Sequence, residues 1–178
     1  MTFRAAGLWR RILAFAADYL VIAAYLVVLV GLGVGGRLAA PGLVNALFGN
    51  PFTGELTGFL LITLPVTLYF ALNEASPRQA TWGKRKLGLR VMRLDEQRLS
   101  RGRSLWRTAL KFVPWELAHA CIWQVSFSAG QPSVLIGAGF ALVWLLVGAN
   151  VVSLLLSRTH QTLYDWLSVS VVVYNIKT

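Results

Sequence analysis

Arg11 and Asp18 are the residues in this chain whose types and spacing point most directly to chemistry. Asp18 lies inside an apolar run from Ile12 to Leu32, and Arg11 stands at its edge. At about 1.5 Å rise per residue the run covers roughly 32 Å, enough to cross the hydrocarbon core of a bilayer. A carboxylate placed there costs at least ~2.5 kcal/mol on insertion scales, so it faces protein or water and has a partner. A seven-residue spacing is close to two helical turns, which puts Arg11 and Asp18 on one face, roughly 10 Å apart along the axis. Two roles fit. Asp18 exchanges a proton or binds a cation in alternation with it, or the two residues form a permanent ion pair that fixes helix packing.

Asp165 follows the last strongly apolar stretch, among Leu163, Trp166, Leu167 and Val169. It is placed to return to Arg11, and one arginine with two carboxylates would leave one negative charge to hold a cation or a proton. Equally, it caps the tail or pairs with a loop arginine. Glu116 and His119 are three apart and share a helix face. They form a candidate proton relay, since histidine titrates near neutral pH, or simply the wet side of an interfacial helix. Two such ligands are too few for a metal, and none is expected. Asn150, with Ser153 three residues on, lines a polar path or hydrogen-bonds across helices. Asn73 and Glu74 read as the end of a span. Cys121 is the only cysteine, which excludes an internal disulfide or thiolate cluster and suits a small apolar packing residue.

The elements that must position these groups are membrane helices. The 178 residues are 56% hydrophobic and 13% charged, where a soluble domain carries about 25% charged residues. Mean hydropathy is +0.61. Spans are expected at residues 10–32, 55–73, 112–128 and 133–157, in a single domain covering 1–178. The first is long and lacks a convincing cleavage site, so it reads as a retained helix and not a signal peptide. Pro65 is expected to kink the second near Thr63 and Thr67. The third contains Pro114, Glu116, His119 and Gln124, and lying in the interface is its alternative.

From Arg78 to Lys111 there are eleven Lys or Arg and two acids, Asp95 and Glu96. Under the positive-inside rule this segment, 78–111, is cytoplasmic. Arg158 and Lys177 bring the C-terminus to the same side, and four spans with both termini cytoplasmic satisfy every loop. Within the segment, Leu87, Leu89 and Val91 alternate with Gly88 and Arg90 before a polar turn at Asp95, Glu96 and Gln97. A short hairpin is expected over Leu87–Leu94 and Arg98–Arg101. From Ser104 on, Leu105, Trp106, Ala109, Leu110 and Val113 recur at helical spacing, with Arg107 and Lys111 on another side, as in an amphipathic interfacial helix.

The net charge of +10 is concentrated beside the spans. It therefore points to anionic lipids, each basic residue near the surface being worth about 1 kcal/mol, and not to nucleic acid. Lys84, Arg85, Lys86 and Arg90 are the candidates for lipid or partner binding. No P-loop, nucleophile elbow or His-Glu-x-x-His motif occurs, so neither catalysis nor a cofactor is expected.

Three segments together resemble the RDD family of small bacterial membrane proteins, named for one arginine and two aspartates. The first runs from Leu8 to Asp18 and holds Arg11. The second runs from Thr81 to Val91 and contains Thr81-Trp82-Gly83-Lys84. The third runs from Arg158 to Asp165, with Tyr164 where the family often has histidine. Order and spacing match from about residue 5 to 174. The resemblance implies a bacterial inner-membrane protein, and for some members monovalent cation/proton antiport.

The expected fold is a mainly α-helical integral membrane protein of about four transmembrane helices, with a short cytoplasmic β-hairpin and an amphipathic interfacial helix. The first expected function is transport of a monovalent cation or proton through Asp18, with Arg11 and Asp165 setting its charge state. The alternative is a non-transporting adaptor or scaffold that binds lipid or a partner protein. The chain's small size suits a homo-oligomer if it forms a pore.

Overall fold

A computed structural model describes residues 3–128 and 133–175. Lys177 and most of the loop between the last two expected spans lie outside these. The described chain is helical apart from two short strands: α1 Leu8–Ala39, α2 Pro41–Phe48, α3 Pro51–Gly58, a π-helical turn Phe59–Thr63, α4 Leu64–Glu74, α5 Trp82–Lys86, β1 Leu89–Arg93, α6 Arg101–Phe127, α7 Val134–Leu156, α8 Leu163–Leu167 and β2 Ser170–Tyr174. Three helices are long and apolar enough to cross a membrane: Leu8–Ala39, Pro51–Glu74 and Val134–Leu156. α6 is long enough but carries Arg101, Arg103, Arg107, Lys111 and Glu116, and is not in that group. It is a single helix, so the expected interfacial helix and third span are one continuous element.

α1 runs seven residues past its expected end. Gly31, Gly33, Gly35 and Gly36, which weaken a helix in water, are common in membrane helices, where an unsatisfied backbone group has no water to turn to. Ala40 leaves helical geometry at φ −143° before Pro41 opens α2. In α7 the large apolar side chains face outward, Val134 being 90% and Trp144 73% exposed. A helix apolar all round has lipid as its solvent.

The chain forms two compact units. One is Met1–Val21, Thr67–Lys111 and Val147–Thr178; the other is Ile22–Val66 and Phe112–Leu146.

In the second unit, Pro65 stands just after the π turn Phe59–Thr63. Lacking an N–H, it leaves the Leu61 carbonyl without its helical donor. The helix widens into the π turn, where the Leu64 N–H bonds to the Phe59 carbonyl. The Tyr25 hydroxyl donates to the orphaned Leu61 oxygen at 2.6 Å.

In the first unit, β1 pairs antiparallel with β2, Val91 opposite Val172 and Met92 opposite Val171. The expected hairpin with Arg98–Arg101 does not form. Its turn does, with the Arg93 N–H bonded to the Gln97 carbonyl and the Gln97 N–H to Asp95 Oδ1. Two physical causes redirect the strand. Val171, Val172 and Val173 are stronger β formers than Arg98 to Arg101. Ser100 is already the N-cap of α6, its Oγ accepting from the Arg103 N–H. Both sheet edges are covered, since Gln79 bonds to Val91 and residues 4 to 6 pair with β2. One face packs Leu89, Val91 and Val172 against Ala6, Ala14 and Leu99.

Tyr25→Phe is expected to lower stability by about 0.5–1.5 kcal/mol in a detergent melt. In a Pro65→Ala background, which restores a backbone donor, that cost should shrink. An equal cost in both backgrounds would show that the tyrosine does not serve the proline's orphan.

Candidate functional site

The first unit contains a chain of buried charges assembled from five elements. It starts at α8, where Thr162 caps the helix. Its Oγ1 accepts from the Asp165 N–H while Asp165 Oδ2 accepts from the Thr162 N–H, a reciprocal box that fixes the aspartate's position. Arg11, from the first turn of α1, donates through Nη1 to Asp165 Oδ2 at 2.5 Å. Arg107, from α6, donates through Nε and Nη2 to Asp165 Oδ1 at 2.9 and 2.6 Å. Its Nη1 reaches Glu74 Oε2 at 2.6 Å. Lys84 Nζ, from α5, holds the other Glu74 oxygen at 2.7 Å. The order is Arg11, Asp165, Arg107, Glu74, Lys84, with both acids fully buried and Arg107 2% exposed.

Asp18 belongs to the same unit but has other partners. The Gly83 N–H and Tyr69 hydroxyl donate to its Oδ1 at 2.6 and 2.9 Å, and the Thr81 hydroxyl donates to Oδ2 at 2.6 Å. Thr81 is also the N-cap of α5. Only glycine fits at 83: a Cβ there would lie 2.1 Å from the Ala14 carbonyl oxygen and 2.8 Å from the Asp18 carboxyl carbon.

The expected Arg11–Asp18 pair is therefore replaced. Helical side chains lean toward the N-terminus, and Arg11 turns that way. Its Nε bonds to the Ala6 carbonyl at 3.0 Å and its Nη2 to the His160 carbonyl at 2.5 Å, away from Asp18. His160 sits at φ +47°, a left-handed conformation uncommon outside glycine.

Electrostatics reward this arrangement. Burial alone would raise Asp165, but Arg107 and then Arg11 hold it well below the ordinary carboxylate range. Burial would likewise strip Arg107, but Asp165 and Glu74 push its pKa above the usual arginine value. Lys111, one turn beyond Arg107, goes the other way. Burial, then the charges of Lys84 and Arg107, hold it well below an ordinary lysine, against the opposing pull of Glu74 and Asp18. Its ammonium lies 3.6 Å from the centre of the Phe70 ring. Four cations (Arg11, Lys84, Arg107, Lys111) face three carboxylates (Asp18, Glu74, Asp165), so the fully charged group carries +1. That is opposite in sign to the single negative charge expected from one arginine and two aspartates.

Glu74, Arg107, Lys84 and Lys111 take parts the sequence reading did not assign them. The orientation of α6 explains the misassignment. Ser104, Arg107 and Thr108 are buried, whereas Leu105 and Trp106 are about half exposed. The polar stripe faces inward and the apolar one outward, the reverse of a helix lying on a soluble core. A signal was available in Glu74, an acid at the end of an apolar span, which is functional by default.

Of the lipid or partner candidates, Arg85 and Lys86 are exposed and Arg90 is half-buried. Lys84 is buried against Glu74, so it is not a surface ligand. Asn150 is half-buried in α7, and Ser153 donates to the Gln161 carbonyl at 3.0 Å.

Glu116 and His119 lie in the second unit. The Thr63 hydroxyl, at the end of the π turn, donates to Glu116 Oε2 at 2.5 Å and lies 3.4 Å from His119 Nδ1. The carboxylate and imidazole are 3.9 Å apart. Among the described residues, no three His, Cys, Asp or Glu side chains are grouped to hold a metal ion.

Compared with known proteins, the chain matches the model of the RDD family over residues 5–169. No curated protein and no solved structure matches it.

Arg107→Met removes one of the two cations from each of two buried carboxylates and is expected to cost about 3–5 kcal/mol of stability. Lys84→Gln should also destabilise, while Arg85→Gln/Lys86→Gln should leave the thermal midpoint in detergent unchanged. Identical midpoints for all of them would show that the charge chain contributes nothing.

The depressed Asp165 makes its contribution fully present above its unfolded value of about 3.8, to be lost only as pH falls through the lower folded value. Between pH 8 and 5 the stability difference between wild type and Asp165→Asn should stay constant. A difference that shrinks across that window would mean the carboxylate is not held low.

Proposed function

The chain belongs to the RDD family, and from that premise we propose that this membrane protein is a non-transporting scaffold. Its charge cluster locks the region between the spans into one arrangement. Its exposed basic residues, Arg78, Arg85, Lys86, Arg98 and Arg101, engage anionic lipid or an acidic partner. The observation that carries this is the saturation of the three carboxylates. All six oxygens of Asp18, Glu74 and Asp165 accept from protein donors. A cation with several oxygen ligands would have to displace those donors first.

The protein sits in the bacterial inner membrane with both termini cytoplasmic, and residues 112–128 form the third of its four spans. This topology is supported by the gathering of the start of α1, the end of α4, the basic segment and α8 in one unit. It agrees with the positive-inside distribution of charge.

Exchange of a monovalent cation for a proton is the second hypothesis, and Lys111 is the observation that favours it. An ammonium held low by burial and by Lys84 can lose its proton as a cation enters beside Asp18, leaving the total charge unchanged.

Reconstituted in liposomes, the folded wild type is expected to give no change of internal pH when sodium, lithium or potassium is added outside. Neutralising Arg85, Lys86, Arg98 and Arg101 should weaken its pull-down by anionic vesicles. Cation-driven proton flux that disappears in a monodisperse Asp18→Asn variant would overturn the scaffold and establish exchange.

A further inference from the structure

A cleft of about 480 Å³ opens in the first unit between the chain leading into α1 and the loop after α7. Its lining includes Phe3, Arg4, Arg158, Thr159, His160 and Tyr174. Both arginines are exposed, and among the described residues neither forms an ion pair with a carboxylate. Arg4 lies 5.1 Å from the centre of the Tyr174 ring, which orients its guanidinium without neutralising it. Part of the lining is braced: the His160 carbonyl is tied to Arg11, and through Arg11 to Asp165. Two unneutralised guanidiniums across one concave site suit a phosphate, whose oxygens accept from both forks.

Position decides which phosphate. The cleft lies where α1 begins at Leu8 and α7 ends at Leu156, the ends of two helices long and apolar enough to cross a membrane. Trp9, 69% exposed on the first turn of α1, has the character of an interfacial anchor. Leu155 and Leu156 are exposed at the end of α7, an apolar surface for acyl chains.

We propose that this cleft binds the headgroup phosphate of an anionic phospholipid through Arg4 and Arg158. The site is separate from the basic segment 78–111 and goes beyond the scaffold function, since it would serve a transporter equally. It places a lipid against the wall that Arg11 braces, so occupancy of the cleft supports the charge chain from outside.

Native mass spectrometry of the delipidated full-length protein, titrated with phosphatidylglycerol or phosphatidylcholine, tests this. Wild type should retain phosphatidylglycerol in preference. Arg158→Gln should weaken it about fivefold and Arg4→Gln/Arg158→Gln about 25-fold, from the surface energy per basic residue. The control Arg37→Gln, at an exposed arginine near the far end of α1, should bind as wild type does. If the double variant fails to elute as a monodisperse peak, the exposed Arg158→Gln alone decides.

No preference between the two lipids in wild type would sink the proposal. So would an equal loss in cleft and control variants, which would mean diffuse attraction to charge. As a separate arm, loss in Arg85→Gln/Lys86→Gln with none in the cleft variants would overturn the cleft and leave the scaffold's basic segment standing. Displacement of the lipid by millimolar inorganic phosphate would identify a free-phosphate site instead.

Discussion

Arg107 holds a charge where water is excluded, and the first unit is arranged around making that tolerable. Glu74 meets its guanidinium from one side and Asp165 from the other. Each acid then needs a second cation, supplied by Lys84 and Arg11. Removing a charged group from water costs several kcal/mol, and only dense, short hydrogen bonds recover it. That requirement ties α1, α4, α5, α6 and α8 to one another. Little sequence is free to vary at the junctions: Thr162 must cap, and residue 83 must lack a Cβ.

The same constraint inverts α6. In a soluble protein its Leu and Trp stripe would face the core and its arginine the solvent. Here the apolar side is exposed at Leu105 and Trp106, and the interior supplies what the charged side needs. Buried polar groups are satisfied by protein because the surrounding solvent cannot do it. The π turn before Pro65 follows the same rule on a smaller scale, with Tyr25 replacing a donor that the backbone lost.

Parts of this were legible in residue order alone. The three apolar helices follow from runs of hydrophobic residues long enough to span, which depend on composition and length and not on contacts. The family resemblance rested on three short motifs in fixed order, and the match over residues 5–169 bears it out. Asp18 and Asp165 stood out because an acid near a membrane span needs a partner. The β1 alternation was visible too, but its pairing was not. A local hairpin and a strand more than 75 residues away compete for the same edge, and the outcome turned on Val171 to Val173 and on Ser100 being used as a cap.

The sequence by itself determined that the chain crosses a membrane, where its charges gather and which acids stand beside its spans. It did so because insertion energies add residue by residue along the chain. Tertiary structure alone decided who pairs with whom: Arg11 with Asp165 and not Asp18, Lys84 with Glu74 and not lipid, Arg107 between two acids. Ion pairing depends on distances of a few ångströms between elements far apart in sequence. Spacing along one helix cannot reveal a cation arriving from another.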